Sequence, residues 1–342
     1  MPGGIKIIFK EKVKEILLKI NPVYGTVHNI KNKMDILLEI SSKNEIRLQN
    51  LENKRGHDLT NYDHIQSEST IIEIPEIERI ITLMLITDMH LTYSDERDSG
   101  EVREMALERA KALKRFSDRD TEDLFDDILR YAVNQNVDCL VLVGDIIDFL
   151  TPKNVEKLNI FLNKYRVPYF YIVGNHEHIM KHLWSMDLLL PFTNNRIGCN
   201  KMEIGGVKFI GIDNTGYKVS AEQLAFLSEE TADNKPCLLF MHIPLYIESL
   251  EKSTLEVWHS PIMLGIPESL FMERRPGIIH VPLPDNTTME FCRLIERSTN
   301  IYGVFAGHLH FSHTDVFTAG KNQYVTLAGY EGGCRKIIIK KK

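Results

Sequence analysis

Three histidines follow an apolar run in the stretch VFAGHLHFSH, residues 304–313. A buried strand rarely carries several imidazoles, because each ring nitrogen needs a hydrogen-bond partner once it leaves water. Alternate residues of a strand point to the same side, so His308 and His310 can face one target. Imidazole is a frequent ligand of divalent transition metals, and the spacing therefore indicates a metal site.

Four other apolar runs also end in residue types that bind metals or transfer protons. The residues that follow the five runs are Asp88 and His90; Asp145 and Asp148; Asn175, His176 and Glu177; His242; and His308 and His310. Ligands of layered α/β proteins bind outside the carboxyl ends of the strands, so these side chains are expected to converge on one crevice. Gly144, Gly174 and Gly307 precede three of the clusters and allow the backbone to approach a ligand closely.

The elements that must position these side chains alternate between strands and helices. The apolar runs TLMLIT, DCLVLVGD, PYFYIVGN, PCLLFMH and IYGVFAGH predict buried strands. TEDLFDDILRYAVNQ, NVEKLNIFLNKY and SAEQLAFLSEE predict helices, and Ser220 with Gln223 predicts a capping box at the start of the last one. KMEIGGVKFIGID predicts a hairpin closed around Gly205 and Gly206. Strands that alternate with helices predict an α/β domain built in layers.

The chain before residue 81 is polar and irregular. KMDILLEI and STIIEIPEIERI predict short strands with a polar loop between them. Residues 1–80 are therefore expected to form an N-terminal extension, either a small β-rich appendage or the first edge of the main domain. The main domain is expected to span residues 81–342 with an insertion at 243–300. The charged stretch 93–120 is expected to present a solvated helix face.

Composition excludes several classes of protein. The chain has 342 residues with Lys+Arg 41 and Asp+Glu 47, a net charge of −6, so no overall basic field favours nucleic acid. Its five cysteines form no C-x-x-C pair, which argues against a disulfide framework and against thiolate metal ligands. No apolar run is long enough to span a membrane, and no signal-peptide pattern is present. A cytoplasmic protein with no membrane partner and no nucleic-acid partner is expected.

Along the chain, the five polar clusters read D-M-H, G-D-I-I-D, G-N-H-E, a lone H and G-H-L-H. In order and spacing they resemble the five signature motifs of the calcineurin-like metallophosphoesterases, over residues 82–335. The resemblance implies an α/β (α+β) fold, a four-layer αββα sandwich of two mixed β-sheets flanked by helices. It also implies a hydrolase that cleaves phosphoester bonds with the help of two divalent metal ions.

The resemblance implies a role for each motif residue. The implied ligands are Asp88, His90 and His310 for one metal, Asn175, His242 and His308 for the other, and Asp145 for both. His176 would protonate the leaving alkoxide, and Asp148 would hold its other ring nitrogen and fix its tautomer. Glu177 is expected to support its loop, and His313 matches no ligand position.

Each residue alone also has a structural interpretation. His242 could be a packed histidine, Asn175 a turn residue and Asp148 a helix cap. The joint order of five motifs at five strand ends favours the dimetal site. His178 and His182, four residues apart, are expected on one helix face that lines the pocket or meets solvent.

The donor set constrains the metals and their chemistry. Nitrogen and oxygen ligands without sulfur suit Mn, Fe, Zn, Ni or Co rather than an all-oxygen Mg or Ca site. Two divalent ions carry +4, and Asp88 with Asp145 carries −2, which leaves a local charge of +2 that attracts phosphate. Two such ions lower the pKa of a bridging water toward neutrality, so a metal-bridging hydroxide is the expected nucleophile.

The residues after two motifs bear on the substrate. The protein serine/threonine phosphatases of this superfamily have an arginine after G-D-x-x-D and another near G-N-H-E, whereas here Phe149 follows Asp148 and His178 follows Glu177. Bidentate recognition of a dianionic monoester depends on such guanidinium groups. The chain therefore resembles the bacterial phosphodiesterase-type branch, whose substrates include cyclic nucleotides and glycerophosphodiesters.

Three alternatives remain open: a phosphomonoesterase or protein phosphatase, a nuclease, and a catalytically inactive scaffold of the same fold. The expected partner is a small phosphoester, such as a nucleotide or a glycerophosphodiester. The 243–300 insertion and the charged stretch 93–120 are expected to determine selectivity. The simpler interpretations are a surface excursion for the insertion and a solvated helix face for the stretch. The candidate contact residues of the insertion are Trp258, His259, Phe271, Arg274, Arg275 and His280.

Overall fold

The structure, a computed structural model, describes residues 62–273, 278–318 and 320–342. The strands are β1 Gln66–Ile74, β2 Ile81–Ile86, β3 Cys139–Val143, β4 Tyr169–Ile172, β5 Cys199–Ile204, β6 Val207–Ile212, β7 Cys237–Met241, β8 Ile301–Ala306, β9 His313–Thr318, β10 Lys321–Val325 and β11 Gly333–Lys341. The helices are α1 Gly100–Leu113, α2 Thr121–Asn134, α3 Pro152–Tyr165, α4 Ala221–Thr231, α5 Glu248–Trp258 and α6 Asn286–Arg297. Short 3-10 segments cover Met186–Phe192, Glu268–Leu270 and Gly329–Glu331.

The strands form two mixed sheets. The first sheet has the order β1-β11-β2-β3-β4, and the second has the order β5-β6-β7-β8-β10-β9. In the first sheet β2, β3 and β4 run parallel, and in the second β6, β7, β8 and β10 run parallel. The predicted hairpin around Gly205 and Gly206 joins β5 to β6 in antiparallel pairing. Within each sheet, the parallel strands therefore have their carboxyl ends at one edge.

The two sheets pack face to face because their central strands are apolar on both sides. In β2, Leu83 and Leu85 enter the core between the sheets, while Met84 and Ile86 enter the core beneath the helices. From the second sheet, Phe240 enters the core between the sheets. A strand that is buried on both faces has a continuous apolar sequence, which explains why TLMLI and CLLFM show no alternation.

Helices cover the outer faces of both sheets. α2 and α3 pack on the first sheet through residues such as Phe125 and Leu158. α4 and α6 pack on the second sheet through residues such as Leu227 and Phe291. The predicted four-layer αββα sandwich is therefore confirmed. Among the helices of the described residues, none is long and apolar enough to cross a membrane.

The segment predicted as an insertion, residues 243–300, contributes to this packing. It contains α6, in which Phe291, Leu294 and Ile295 are buried and lie on one face at helical spacing. This half of the segment is an outer layer of the domain rather than a surface excursion.

The first sheet begins before the boundary predicted at residue 80. β1 forms an edge of that sheet and pairs in parallel with β11. Arg335 in β11 is buried, and it donates to the carboxylate of Glu68 and, at 2.9 Å, to the hydroxyl of Thr70. Because a buried guanidinium needs such partners, β1 belongs to the main domain. The predictions for residues 1–61 lie outside the described residues.

Candidate metal centre

The loops after five strands of the two sheets meet at one edge of the sandwich. Asp88 N donates to Gly144 O at 3.0 Å, and Gly307 N donates to His242 O at 3.0 Å. His308 N donates to Asp88 Oδ2 at 2.9 Å and so connects the two sheets. These backbone contacts bring the predicted motif residues into one crevice.

Asp88, His90 and His310 form one cluster of side chains. His310 Nε2 lies 3.3 Å from Asp88 Oδ1, and His90 Nε2 lies 3.9 Å from the same oxygen. The Nε2 atoms of His90 and His310 are 3.3 Å apart. The three ligand atoms surround a point at which one cation could bind.

Asp145, His242 and His308 form a second cluster. His242 Nε2 lies 3.2 Å from Asp145 Oδ2 and 3.3 Å from His308 Nδ1. Asp145 Oδ2 is also 3.9 Å from His90 Nε2, in the first cluster. Asp145 therefore lies between the clusters, where one carboxylate can contact two cations.

Two buried oxygen atoms of motif residues have no hydrogen-bond partner within the described part of the chain: Asp88 Oδ1 and Asn175 Oδ1. Leaving a buried acceptor unpaired costs about 1–3 kcal/mol, and more for a charged group. A cation beside each oxygen would satisfy it. The available donors are nitrogen and oxygen atoms without sulfur, a set that fits borderline divalent metals.

The charge states of Asp88 and His308 suit a cation. Burial raises the pKa of Asp88, but His310 and His242 outweigh burial and lower it to about 2. Burial, reinforced by His242, lowers the pKa of His308 to about 3. Near neutral pH the Asp88 carboxylate is ionised and the His308 imidazole is neutral, and these are the forms that bind metals. Burial lowers the pKa of His242, but Asp145 outweighs burial and raises it to about 10, so a cation would have to displace a proton there.

Each histidine of the two clusters has its second ring nitrogen held by another part of the protein. The contacts are His90 Nδ1 with Asp148 Oδ1 at 2.8 Å, His310 Nδ1 with the Tyr330 hydroxyl at 3.0 Å, His242 Nδ1 with Val143 O at 2.9 Å and His308 Nε2 with the Tyr217 hydroxyl at 2.9 Å. Such contacts fix the orientation of a ligand imidazole and its tautomer. Tyr217 and Tyr330 belong to no motif, so sequence reasoning missed them.

The backbone of five motif residues is left-handed, with φ between 50° and 71°. These residues are Asp88, His90, Asp145, His308 and His310. Each such conformation costs about 1–3 kcal/mol and persists only where the surrounding structure enforces it, typically at functional sites. Gly307 is required for a different reason, since a Cβ there would collide with the Thr87 hydroxyl and with the Asp88 carboxylate.

His176 lies beside the two clusters. Its Nε2 is 3.9 Å from Asp145 Oδ2, and its Nδ1 is 2.9 Å from both the Oδ1 and the backbone oxygen of Asp148. Its side chain is 21% exposed, so a ligand can reach it. Burial lowers the pKa of His176, but Asp145 and Asp148 outweigh burial and raise it to about 9. The ring can therefore carry a proton at neutral pH.

Asp148 has another partner, which sequence reasoning missed. Arg109 in α1 donates from Nε to Asp148 Oδ2 and from Nη2 to Asp148 Oδ1, both at 2.6 Å. The stretch 93–120 was predicted to contribute to selectivity or, more simply, to present a solvated helix face with mixed charges. No local pattern distinguishes Arg109 from the other basic residues of that stretch.

The histidines that the sequence left without a ligand role, His178, His182 and His313, belong to neither cluster. His178 and His182 are in a turn instead of a helix, because Met180 has a φ of 68°, which an α-helix does not allow. His178 Nε2 lies 3.0 Å from Asp213 Oδ2. His313 begins β9 and joins neither cluster.

One aromatic residue of the predicted insertion reaches the first cluster. Trp258, the last residue of α5, packs edge to face on His310 with ring centroids 5.0 Å apart. Arg274 and Arg275, the two basic residues proposed as substrate contacts, lie outside the described residues.

Glu177 supports the loops around the clusters. Its fully buried carboxylate accepts hydrogen bonds from Gly174 N at 2.7 Å, from Asp145 N at 2.9 Å and from Ile146 N at 2.9 Å. The Tyr171 hydroxyl donates to the same carboxylate at 2.7 Å. One side chain thus connects the loop after β3 to the loop after β4.

Replacing Glu177 by glutamine should destabilise the metal-free protein by about 2–5 kcal/mol, because buried donors lose a charged acceptor. The free energy of unfolding is measured by urea denaturation. Glu229→Gln, on the exposed face of α4, is the matched control and should change it by less than about 0.5 kcal/mol. Equal stabilities of the two variants would contradict this role for Glu177.

Comparison with known proteins agrees with this geometry. The family profile described as "Calcineurin-like phosphoesterase" matches residues 81–312. The chain is 24% identical over 193 residues to a Fibrobacter succinogenes protein named "Probable cyclic nucleotide phosphodiesterase", which covers 56% of this chain and 64% of that protein. It is 29% identical over 143 residues to the DNA double-strand break repair protein Mre11 of Methanosarcina mazei, which covers 40% of this chain and 20% of that protein.

The aligned parts span less than two thirds of the length of these curated relatives. Among solved structures, a dimetal phosphatase from Danio rerio aligns with a TM-score of 0.46 and 14% identity, over 75% of this chain and 89% of that chain. The family profile covers more than half of the chain and includes all five motifs. The protein is therefore a member of the calcineurin-like phosphoesterase family, whose activity is hydrolysis of phosphoester bonds.

Proposed function

We propose that the protein is a dinuclear-metal-dependent phosphodiesterase. The observation that carries the proposal is the position of Asp145 between two clusters, together with the unpaired buried oxygens Asp88 Oδ1 and Asn175 Oδ1. The residues that would hold the cations are Asp88, His90 and His310 on one side, Asn175, His242 and His308 on the other, and Asp145 between them. When bound, two divalent cations neutralise charge on the phosphoryl oxygens and lower the pKa of the attacking water.

The remaining chemistry belongs to His176 and Asp148. His176 lies beside the clusters, carries a proton at neutral pH and is open to solvent, so it can protonate the oxygen of the leaving group. Asp148 accepts from His176 Nδ1, which leaves Nε2 directed toward the clusters. A positioned general acid increases the rate most when the leaving group is an alkoxide, as in a natural diester.

The preference for a diester rests on how the arginine at the site is used. Arg109 directs both Nε and Nη2 to Asp148 instead of presenting that pair of donors to a phosphate dianion. Recognition of a dianionic monoester by a guanidinium fork needs such a free pair. A diester carries a single negative charge, and the two cations can neutralise it without that fork.

Aromatic side chains beside the first cluster can contact an organic group of the substrate. Trp258 and Tyr330 flank His310 with their rings 5.0 and 5.2 Å from its centroid. Cyclic nucleotides and glycerophosphodiesters are diesters that carry such groups. All five cysteines are free thiols, which supports placement in a reducing compartment such as the cytoplasm.

The proposal is tested with protein reconstituted separately with Mn, Ni or Zn. We expect bis-p-nitrophenyl phosphate to be hydrolysed faster than p-nitrophenyl phosphate, followed by turnover of members of a panel of cyclic nucleotides and glycerophosphodiesters. Faster hydrolysis of the monoester would overturn the diester assignment. Turnover restricted to DNA would favour a nuclease, as the similarity to Mre11 suggests, and no turnover of any ester would favour an inactive scaffold.

A further inference from the structure

The ion pair between Arg109 and Asp148 differs from the surface ion pairs of this protein. The guanidinium contacts both oxygens of one carboxylate, each at 2.6 Å, and the Asp148 side chain is 1% exposed. A bidentate pair of this kind fixes the plane of the carboxylate as well as its position. An exposed pair between flexible side chains fixes neither.

The plane of the Asp148 carboxylate decides the orientation of two imidazoles. Its Oδ1 lies 2.8 Å from His90 Nδ1 and 2.9 Å from His176 Nδ1. A carboxylate oxygen accepts hydrogen bonds, and Oδ1 lies within hydrogen-bond distance of both imidazole nitrogens. The two rings are perpendicular, with centroids 4.4 Å apart, and one shared oxygen therefore holds both.

The helix that carries Arg109 is anchored at both ends to segments beside the motifs. Near its start, Val102 and Ala106 pack on Phe149, the residue after Asp148. At its end, Leu113 packs with Tyr330, whose hydroxyl contacts the imidazole of His310. Arg109 lies between these two anchors, so α1 holds the guanidinium in a fixed place over Asp148.

We propose that Arg109 is a positioning residue, which fixes the Asp148 carboxylate and through it the tautomer of His90 and the orientation of both His90 and His176. This rests on the proposed function in so far as His176 is the proton donor. The stretch that the sequence marked as a solvated helix face is then part of the catalytic apparatus. Arg109 acts without touching the substrate.

The activity test is a set of variants assayed with the metal-loaded enzyme. Arg109→Ala should lower kcat by about 10–100-fold with KM unchanged, as loss of such a supporting contact typically does. Arg109→Lys should restore part of that loss, because a lysine supplies the charge without the planar pair of donors. Arg103→Ala, on the exposed face of the same helix, is the matched control and should behave like wild type.

Combination with Asp148→Asn shows whether Arg109 acts through Asp148. In that background, Arg109→Ala should cause no further loss of kcat, since the carboxylate that it positions is already gone. A full additional loss would overturn the proposal. So would a rise in KM with kcat unchanged, which would show that Arg109 binds the substrate directly.

A measurement on the metal-free protein is independent of turnover. Nitrogen-15 NMR of labelled histidines should show His90 in one tautomer, protonated at Nδ1, and Arg109→Ala should give a mixture of tautomers. An unchanged His90 spectrum in Arg109→Ala would overturn the positioning role. If wild type hydrolyses no phosphoester but the spectrum changes as expected, the proposed function fails and the positioning role stands.

Discussion

Replacing Asp145 by asparagine should abolish binding of one or both cations and lower the rate of phosphodiester hydrolysis by on the order of 10³-fold. Asp145 Oδ2 lies 3.2 Å from His242 Nε2 and 3.9 Å from His90 Nε2, so the substitution removes a negative charge that lies within reach of both clusters. Metal ions at such sites contribute several kcal/mol of transition-state stabilisation, and each 1.36 kcal/mol is a factor of ten in rate. Metal content is measured by plasma mass spectrometry and the rate with bis-p-nitrophenyl phosphate.

The matched control for this experiment is Asp187→Asn, at an exposed position in the 3-10 segment Met186–Phe192. It removes the same charge at an exposed position outside the five motifs and should leave metal content and rate unchanged. If Asp145→Asn kept two metals per chain and the rate of wild type, Asp145 would not lie between the cations.

His176→Ala should lower the rate for substrates with alkoxide leaving groups by about 10²–10⁴-fold, the usual contribution of a positioned acid. The same variant should lose much less activity toward bis-p-nitrophenyl phosphate, because a nitrophenolate departs without protonation. This difference between leaving groups follows from a ring that carries a proton at neutral pH and lies 3.9 Å from Asp145 Oδ2. The measurement compares kcat for a glycerophosphodiester with kcat for the nitrophenyl diester.

His182→Ala, at an exposed position in the same turn, is the control and should match wild type toward both substrates. Metal content of His176→Ala should equal that of wild type, since the ring stands beside the clusters. Loss of metal from His176→Ala would identify the residue as a ligand. If His176→Ala lowered kcat equally for both substrates, His176 would not be the proton donor.

The sequence predicted those parts of the site that are encoded locally. The five strands that precede the motifs are apolar runs, and residue types that bind metals or transfer protons follow each within a few residues, such as Asp88 after β2 and His242 after β7. Because parallel strands end at one edge of a sheet, adjacency to a strand end was enough to predict convergence. Asn175 could be predicted in the same way from the run before it.

Contacts between distant segments could not be predicted. Arg109, Tyr217 and Tyr330 are separated from their partners by at least 20 residues, and no spacing rule connects them. The helix predicted at His178 and His182 is not formed because the backbone of Met180 is left-handed. Residue spacing alone does not reveal such a conformation.

Tertiary packing bears on both domain limits that the sequence suggested. The sequence left open whether the segment before residue 81 is an appendage or the first edge of the main domain; β1 forms such an edge and pairs along its whole length with β11, a strand more than 250 residues later. The segment that forms α6 was predicted to be part of an insertion. Its apolar residues recur at helical spacing, and this pattern is typical of a helix that packs on a sheet.

Diffraction from crystals of the protein grown with Mn²⁺, collected at a wavelength where manganese scatters anomalously, tests the central claim most directly. Two anomalous peaks are expected in each chain, one among Asp88, His90 and His310 and one among Asn175, His242 and His308, with Asp145 in contact with both. A single peak, or peaks remote from Asp145, would contradict the claim.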